Sequence, residues 1–209
     1  MKYNISSLSK ILFFVFCFSN FTGIILSQSF SWSRTNGPNE GSVNDLSVSL
    51  DGNLYAASFG GVFVSTDNGE IWQYIGLGNK VVTAIASYNG FLFAGTSLTY
   101  SLSEGENGLF ISTNNGNTWQ LSSLGICEVN DIFVSKTGKI FVTFFTNSFY
   151  DGYCAYSVNN GNSWVNINQL TGFSCGEFSV GTGNSIYISA WRASMVYTMN
   201  DGNTWFTNG

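Results

Sequence analysis

The side chains of this sequence that could do chemistry are carboxylates set among aromatic residues. The segment Ser97–Gly108 carries Tyr100, Glu104 and Glu106, and Asn147–Gly152 carries Phe149, Tyr150 and Asp151. Trp191 stands beside Arg192. Glycoside hydrolysis needs two carboxylates about 5–10 Å apart, and aromatic rings beside them could stack a sugar. No pair among these residues, or among Glu40, Glu128 and Glu177, has a spacing that singles out an acid and a base. The bland reading is that the carboxylates solvate loops and the rings pack between sheets. No catalytic residue is assigned; Tyr100, Glu104, Glu106, Tyr150, Asp151, Trp191 and Arg192 stand as a candidate ligand face.

Other chemistries are excluded outright. The 209 residues contain no histidine, which removes a Ser-His-Asp triad, a His-ligated zinc and a histidine acid or base. Without histidine or a Cys-x-x-Cys pair, neither a metal nor a cofactor is expected. A net charge of −5 argues against a nucleic-acid partner. Binding a substrate carboxylate through several guanidinium groups is equally unsupported, because Arg34 and Arg192 are the only arginines. With 44% hydrophobic and only 9% charged residues, the chain has ample material for a core and does not read as disordered.

Residues 1–27 read as a secretory signal. Lys2 and Lys10 give the positive start, and Ile11–Leu26 is apolar but interrupted by Ser19, Asn20 and Thr22. No run reaches the roughly 20 apolar residues of a spanning helix. Cleavage near Ser27/Gln28 would deliver residues 28–209 to the periplasm or the exterior, with no membrane span. The product would hold five basic and twelve acidic residues, a charge of −7. It would also keep Cys127, Cys154 and Cys175, which allow one intramolecular bridge and one leftover thiol. Export permits that bridge without requiring it. The pairing is left open.

The strongest signal is a repeat. Ser65-Thr-Asp67-Asn-Gly69-Glu-Ile-Trp72 recurs as Ser112-Thr-Asn114-Asn-Gly116-Asn-Thr-Trp119 and as Ser157-Val-Asn159-Asn-Gly161-Asn-Ser-Trp164. A fourth copy is Thr198-Met-Asn200-Asp-Gly202-Asn-Thr-Trp205, and the tryptophans are 47, 45 and 41 residues apart. Such a period marks stacked supersecondary units that cannot bury their faces alone. Each unit carries short β-branched and aromatic runs separated by Gly/Asn/Asp turns, and outside the signal no segment sustains a helical period. The repeated turn falls between the third and fourth runs. There Asp or Asn can bond the turn backbone, glycine supplies a positive φ, and tryptophan can cover the turn and reach a neighbouring unit.

Four-stranded antiparallel units repeated radially describe an all-β propeller. The blades are expected at about 42–76, 81–124, 129–168 and 177–209. Ser31–Gly37, with Trp32 placed 40 residues before Trp72, looks like one extra outer strand. Four full blades plus a spare strand suggest a partial ring of a larger propeller; a closed four-bladed ring is the alternative.

The pattern Ser/Thr-x-Asp/Asn-x-Gly-x-x-Trp resembles that of the Asp-box, or bacterial neuraminidase repeat, propellers. The resemblance covers about residues 32–209. That family includes sialidases, xyloglucan-active glycosidases, sortilin-type receptors and photosystem II assembly factors. It implies a ring of about seven blades, with boxes that are structural and lie away from the ligand face. Asn at three of the four third positions agrees with a turn-building role. The arginine cluster and Arg-Ile-Pro motif of the sialidases are absent. The resulting expectation is a secreted binding or scaffold module for an unknown protein or glycan ligand. An Asp-box glycoside hydrolase using loop-face carboxylates is the alternative.

Overall fold

The computed structural model describes residues 37–38, 42–97, 106–146, 152–170, 174–191 and 195–208. Four antiparallel sheets follow one another along the chain. The first holds β1 (Val43–Val48), β2 (Leu54–Ser58), β3 (Gly61–Ser65) and β4 (Gln73–Gly76). The second holds β5 (Val82–Tyr88), β6 (Phe91–Thr96), β7 (Gly108–Ser112) and β8 (Gln120–Ile126). The third holds β9 (Glu128–Val134), β10 (Ile140–Phe145), β11 (Gly152–Ser157) and the short β12 (Val165–Asn166), followed by a 3-10 turn at Asn168–Leu170. The fourth holds β13 (Ser174–Val180), β14 (Ile186–Trp191), β15 (Met195–Thr198) and β16 (Phe206–Asn208). Each sheet is an up-and-down meander, so sequence order is also spatial order within the blade.

Each blade packs on the next, so the second and third are buried on both faces. Tyr55, Ala57 and Val62 of the first blade share a core with Val82, Ile85, Leu92 and Ala94 of the second. Phe93 and Leu109 of the second pack with Val129, Ile140, Val142 and Phe144 of the third. Phe141 and Cys154 of the third pack with Cys175, Ile186, Ile188 and Val196 of the fourth. The inner strands touch in succession, β1 with β5, β5 with β9 and β9 with β13. Among the described residues, no packing of that extent joins the first blade to the fourth. Leu46 and Val48 of β1 are 61% and 65% exposed, and in the fourth blade Tyr187, Tyr197 and Phe206 stack as a ladder across three strands.

The repeated turn is built alike four times. The buried Ser65, Ser112, Ser157 and Thr198 hydroxyls accept the N–H of Gly69, Gly116, Gly161 and Gly202 at 2.8–3.0 Å. Each hydroxyl also donates to the side-chain oxygen of Asp67, Asn114, Asn159 or Asn200. That oxygen accepts the backbone N–H of Ile71, Thr118, Ser163 or Thr204. Where the third residue is Asn, its amide donates to the hydroxyl of Thr118, Ser163 or Thr204; where it is Asp67, the corresponding residue is Ile71, which offers no hydroxyl. The two positions change together because an amide has a donor to satisfy and a carboxylate has none.

The glycines meet two demands at once. Gly116, Gly161 and Gly202 have φ of 86°, 80° and 76°, each preceded by a left-handed Asn or Asp. A Cβ on Gly202 would lie 2.7 Å from the Phe141 ring, and one on Gly116 would lie 2.6 Å from Ile75. Each turn therefore presses its backbone on the blade before it.

Candidate functional site

A β-bulge sits at the same place in each inner strand. Asn44, Thr83 and Asn130 are the extra residues of β1, β5 and β9, and in β13 the pair Gly176–Glu177 stands opposite Ser189 alone. A bulge re-aims a side chain out of the ladder. Here it aims each one at the next blade. The Asn44 amide donates to the Val82 carbonyl at 2.7 Å, Thr83 to Val129 at 2.6 Å, and the Asn130 amide to Cys175 at 2.9 Å.

Carboxylates reinforce two of these junctions. Asp45 accepts the Leu46 N–H through one oxygen and the Ile85 N–H of the second blade through the other, at 2.7 and 2.8 Å. Asp131 repeats the arrangement with Ile132 and with Phe178 of the fourth blade, at 2.7 and 2.6 Å. Burial pushes the Asp131 carboxyl above its ordinary value; the Phe178 and Ile132 N–H groups oppose that rise, and repulsion from Asp45 and Glu177 adds to it. Each carboxylate thus ties its own strand to the next inner strand, through one backbone N–H on each oxygen.

The four inner strands converge on one cleft of about 350 Å³, lined among others by Asp45, Leu46, Val48, Asp131, Phe133 and Phe178. It combines an acidic wall with exposed aliphatic side chains on a clamped scaffold. Sequence reasoning did not single out Asp45 or Asp131, although Val43-Asn-Asp-Leu46 and Val129-Asn-Asp-Ile132 repeat each other. That echo was the available signal.

Much of the candidate ligand face is not among the described residues. Tyr100, Glu104, Tyr150, Asp151 and Arg192, together with Glu40 and Phe149, lie outside the described residues, as do residues 1–27. Trp191 ends β14, with its backbone paired to Ser174. Glu106 is exposed, and its carbonyl accepts the Lys80 ammonium at 2.6 Å. That ammonium also lies 5.2 Å from the Phe110 ring centre, and burial lowers its pKa. Glu128 accepts a hydrogen bond from Ser97, and Glu177 is exposed on the β13 bulge.

Cys127, Cys154 and Cys175 are buried free thiols. Cys127 belongs to the core between the second and third blades, whereas Cys154 and Cys175 share the core between the third and fourth. Burial raises all three thiols, Cys127 to about 12 and Cys175 to about 11, which leaves them protonated and unreactive. Among the described residues no cluster of three metal-ligating side chains occurs, and no helix is long and apolar enough to cross a membrane.

Comparison with solved structures decides the fold. The chain superposes on YCF48 bound to D1 peptide with a TM-score of 0.51 at 13% identity, over 84% of this chain and 56% of that one. The fold is that of a β-propeller. Two further propeller proteins are similar. PorZ, a surface component of the type-IX secretion system of Porphyromonas gingivalis, matches at TM-score 0.52 and 13% identity, over 84% of this chain and 29% of that one. The extracellular domain of the one-component system BT4673 from B. thetaiotaomicron matches at TM-score 0.58 and 12% identity, over 85% and 23%. The propeller described here thus spans little more than half the length of YCF48 and smaller shares of the other two. No protein-family model matches the chain, and no curated protein matches it in sequence.

Proposed function

We propose that this chain is an exported propeller of the Asp-box kind that serves as a binding and scaffold module, holding an extended segment of a partner protein in the axial cleft. The observation that carries the reading is the cleft itself. Leu46 and Val48 are largely exposed beside Asp45 and Asp131, on strands fixed by inter-blade clamps. Apolar surface with an acidic border fits a segment that alternates aliphatic and basic side chains. The peptide held by YCF48 and the surface and extracellular settings of PorZ and BT4673 agree with an exported binder.

A random peptide library panned on the purified protein tests the reading. Enriched sequences should carry Lys or Arg among aliphatic residues and should lose binding about tenfold or more to Leu46→Arg or Val48→Arg. Failure to enrich, or equal binding by both variants, contradicts the cleft. Reducing-end release from a polysaccharide panel would instead favour the hydrolase. Export has its own check. The N-terminus of the exported product should lie near Gln28, and an intact Met1 would contradict cleavage. The three cysteines are expected to be free, and peptide mapping without reductant that finds Cys154 joined to Cys175, which share one core, would contradict that.

A further inference from the structure

Five Asn-Gly pairs are complete among the described residues: Asn68-Gly69, Asn89-Gly90, Asn107-Gly108, Asn115-Gly116 and Asn160-Gly161. An asparagine followed by glycine carries its own covalent chemistry. The glycine backbone nitrogen, once deprotonated, attacks the side-chain amide carbon of the asparagine, with no Cβ to hinder it. A C–N bond forms, the amide C–N bond breaks and ammonia leaves. The cyclic imide then takes up water and opens to aspartate or isoaspartate. No oxidant, metal or second protein enters the balance. The reaction asks only for a glycine N–H that solvent base can reach.

Four of the five pairs withhold that N–H. In the repeated turns Gly69, Gly116 and Gly161 donate to the Ser65, Ser112 and Ser157 hydroxyls at 2.8–2.9 Å. Gly108 donates to the Thr96 hydroxyl at 2.8 Å. These glycines and the residues that accept from them are all buried. Deprotonation there waits on local opening of the blade, as amide exchange does.

Asn89-Gly90 is built differently. It is the two-residue turn between β5 and β6, closed by the pairing of Tyr88 with Phe91. Both residues are exposed, and a Cβ on Gly90 would meet nothing within 4 Å. No hydrogen bond among the described residues holds the Gly90 N–H. Backbone conformation does not separate this turn from the repeated ones, because Asn68, Asn89, Asn115 and Asn160 are all left-handed, with φ of 60°, 48°, 57° and 55°. The state of the glycine N–H does.

We propose that Asn89 is a site of spontaneous conversion to aspartate and isoaspartate, and that the Ser65, Thr96, Ser112 and Ser157 hydroxyls shield the other four pairs from the same reaction. The product places a new carboxylate at a cleft of about 240 Å³ that Asn89 and Asp51 both line. Isoaspartate also adds a carbon to the main chain of the turn that joins β5 to β6. The test incubates the full chain at pH 7 and pH 9 and follows the five pairs by peptide mapping with mass spectrometry. Position 89 should gain the mass of deamidation first, and faster at pH 9. The other four pairs should lag by about tenfold or more, because each must open before it reacts. Amide exchange in the unmodified protein should rank the glycines alike, with Gly90 fastest. Gly90→Ala should slow the change at position 89, and folded Ser112→Ala should speed it at Asn115 while leaving Asn89 as it was. The proposal is overturned if Asn89 reacts no faster than the four shielded asparagines, or if Asn115 in folded Ser112→Ala protein reacts no faster than in the parent.

Discussion

At the scale of single residues, the repeated hydroxyl and the inner-strand carboxylate do different work. The Ser112 hydroxyl is buried, accepts from Gly116 and donates to Asn114, so Ser112→Ala leaves a buried N–H without an acceptor. A loss of about 1–3 kcal/mol is expected in chemical denaturation. Asp131 contributes a pH dependence instead. Its folded pKa lies above the free value of 3.8, so the folded state takes up the proton more readily than the unfolded chain does. The charged form therefore costs stability at neutral pH, and stability returns as pH falls through the raised folded value towards 3.8. The melting-temperature difference between the parent protein and Asp131→Asn should shift in the parent's favour from pH 7 to pH 4. A difference that stays constant, or moves the other way, would show that burial does not dominate this carboxyl. The turn residues were legible in the sequence because their chemistry is local. Asp131 was not, because its second partner belongs to Phe178, in another blade.

Elements lock together by close approach of backbone to side chain. Gly202→Ala meets both a positive φ and the Phe141 ring, and should cost about 2–4 kcal/mol. Gly52→Ala has a similar φ of 86° but nothing within 4 Å, and should cost about 1 kcal/mol. Equal losses in urea titrations of the two variants would contradict inter-blade packing as the reason for the box glycine. The strand order, the hairpin turns and the four-blade division could be read from the chain, because each depends on runs and turns within about 45 residues. The wide bulge of β8 could not. Ser122 to Gly125 read as ordinary strand, and only the pairing with β7 shows that they stand opposite one residue.

Across the whole propeller, stability should run as a gradient. Among the described residues the second and third blades are each packed between two others, whereas the first and fourth each pack on one. In such quasi-linear stacks stability is roughly a sum of unit and interface terms. Amide exchange is thus expected to be slowest in β6 and β10 and fastest in β1 and β16; uniform protection across all four blades would contradict it. The same experiment, repeated with a panned peptide, tests the binding function most directly. Bound peptide should slow exchange in Val43–Val48 and Glu128–Val134, which line the axial cleft, and leave the outer strands β4 and β8 unchanged. Protection confined to the outer strands, or none anywhere, would contradict the axial cleft as the binding site.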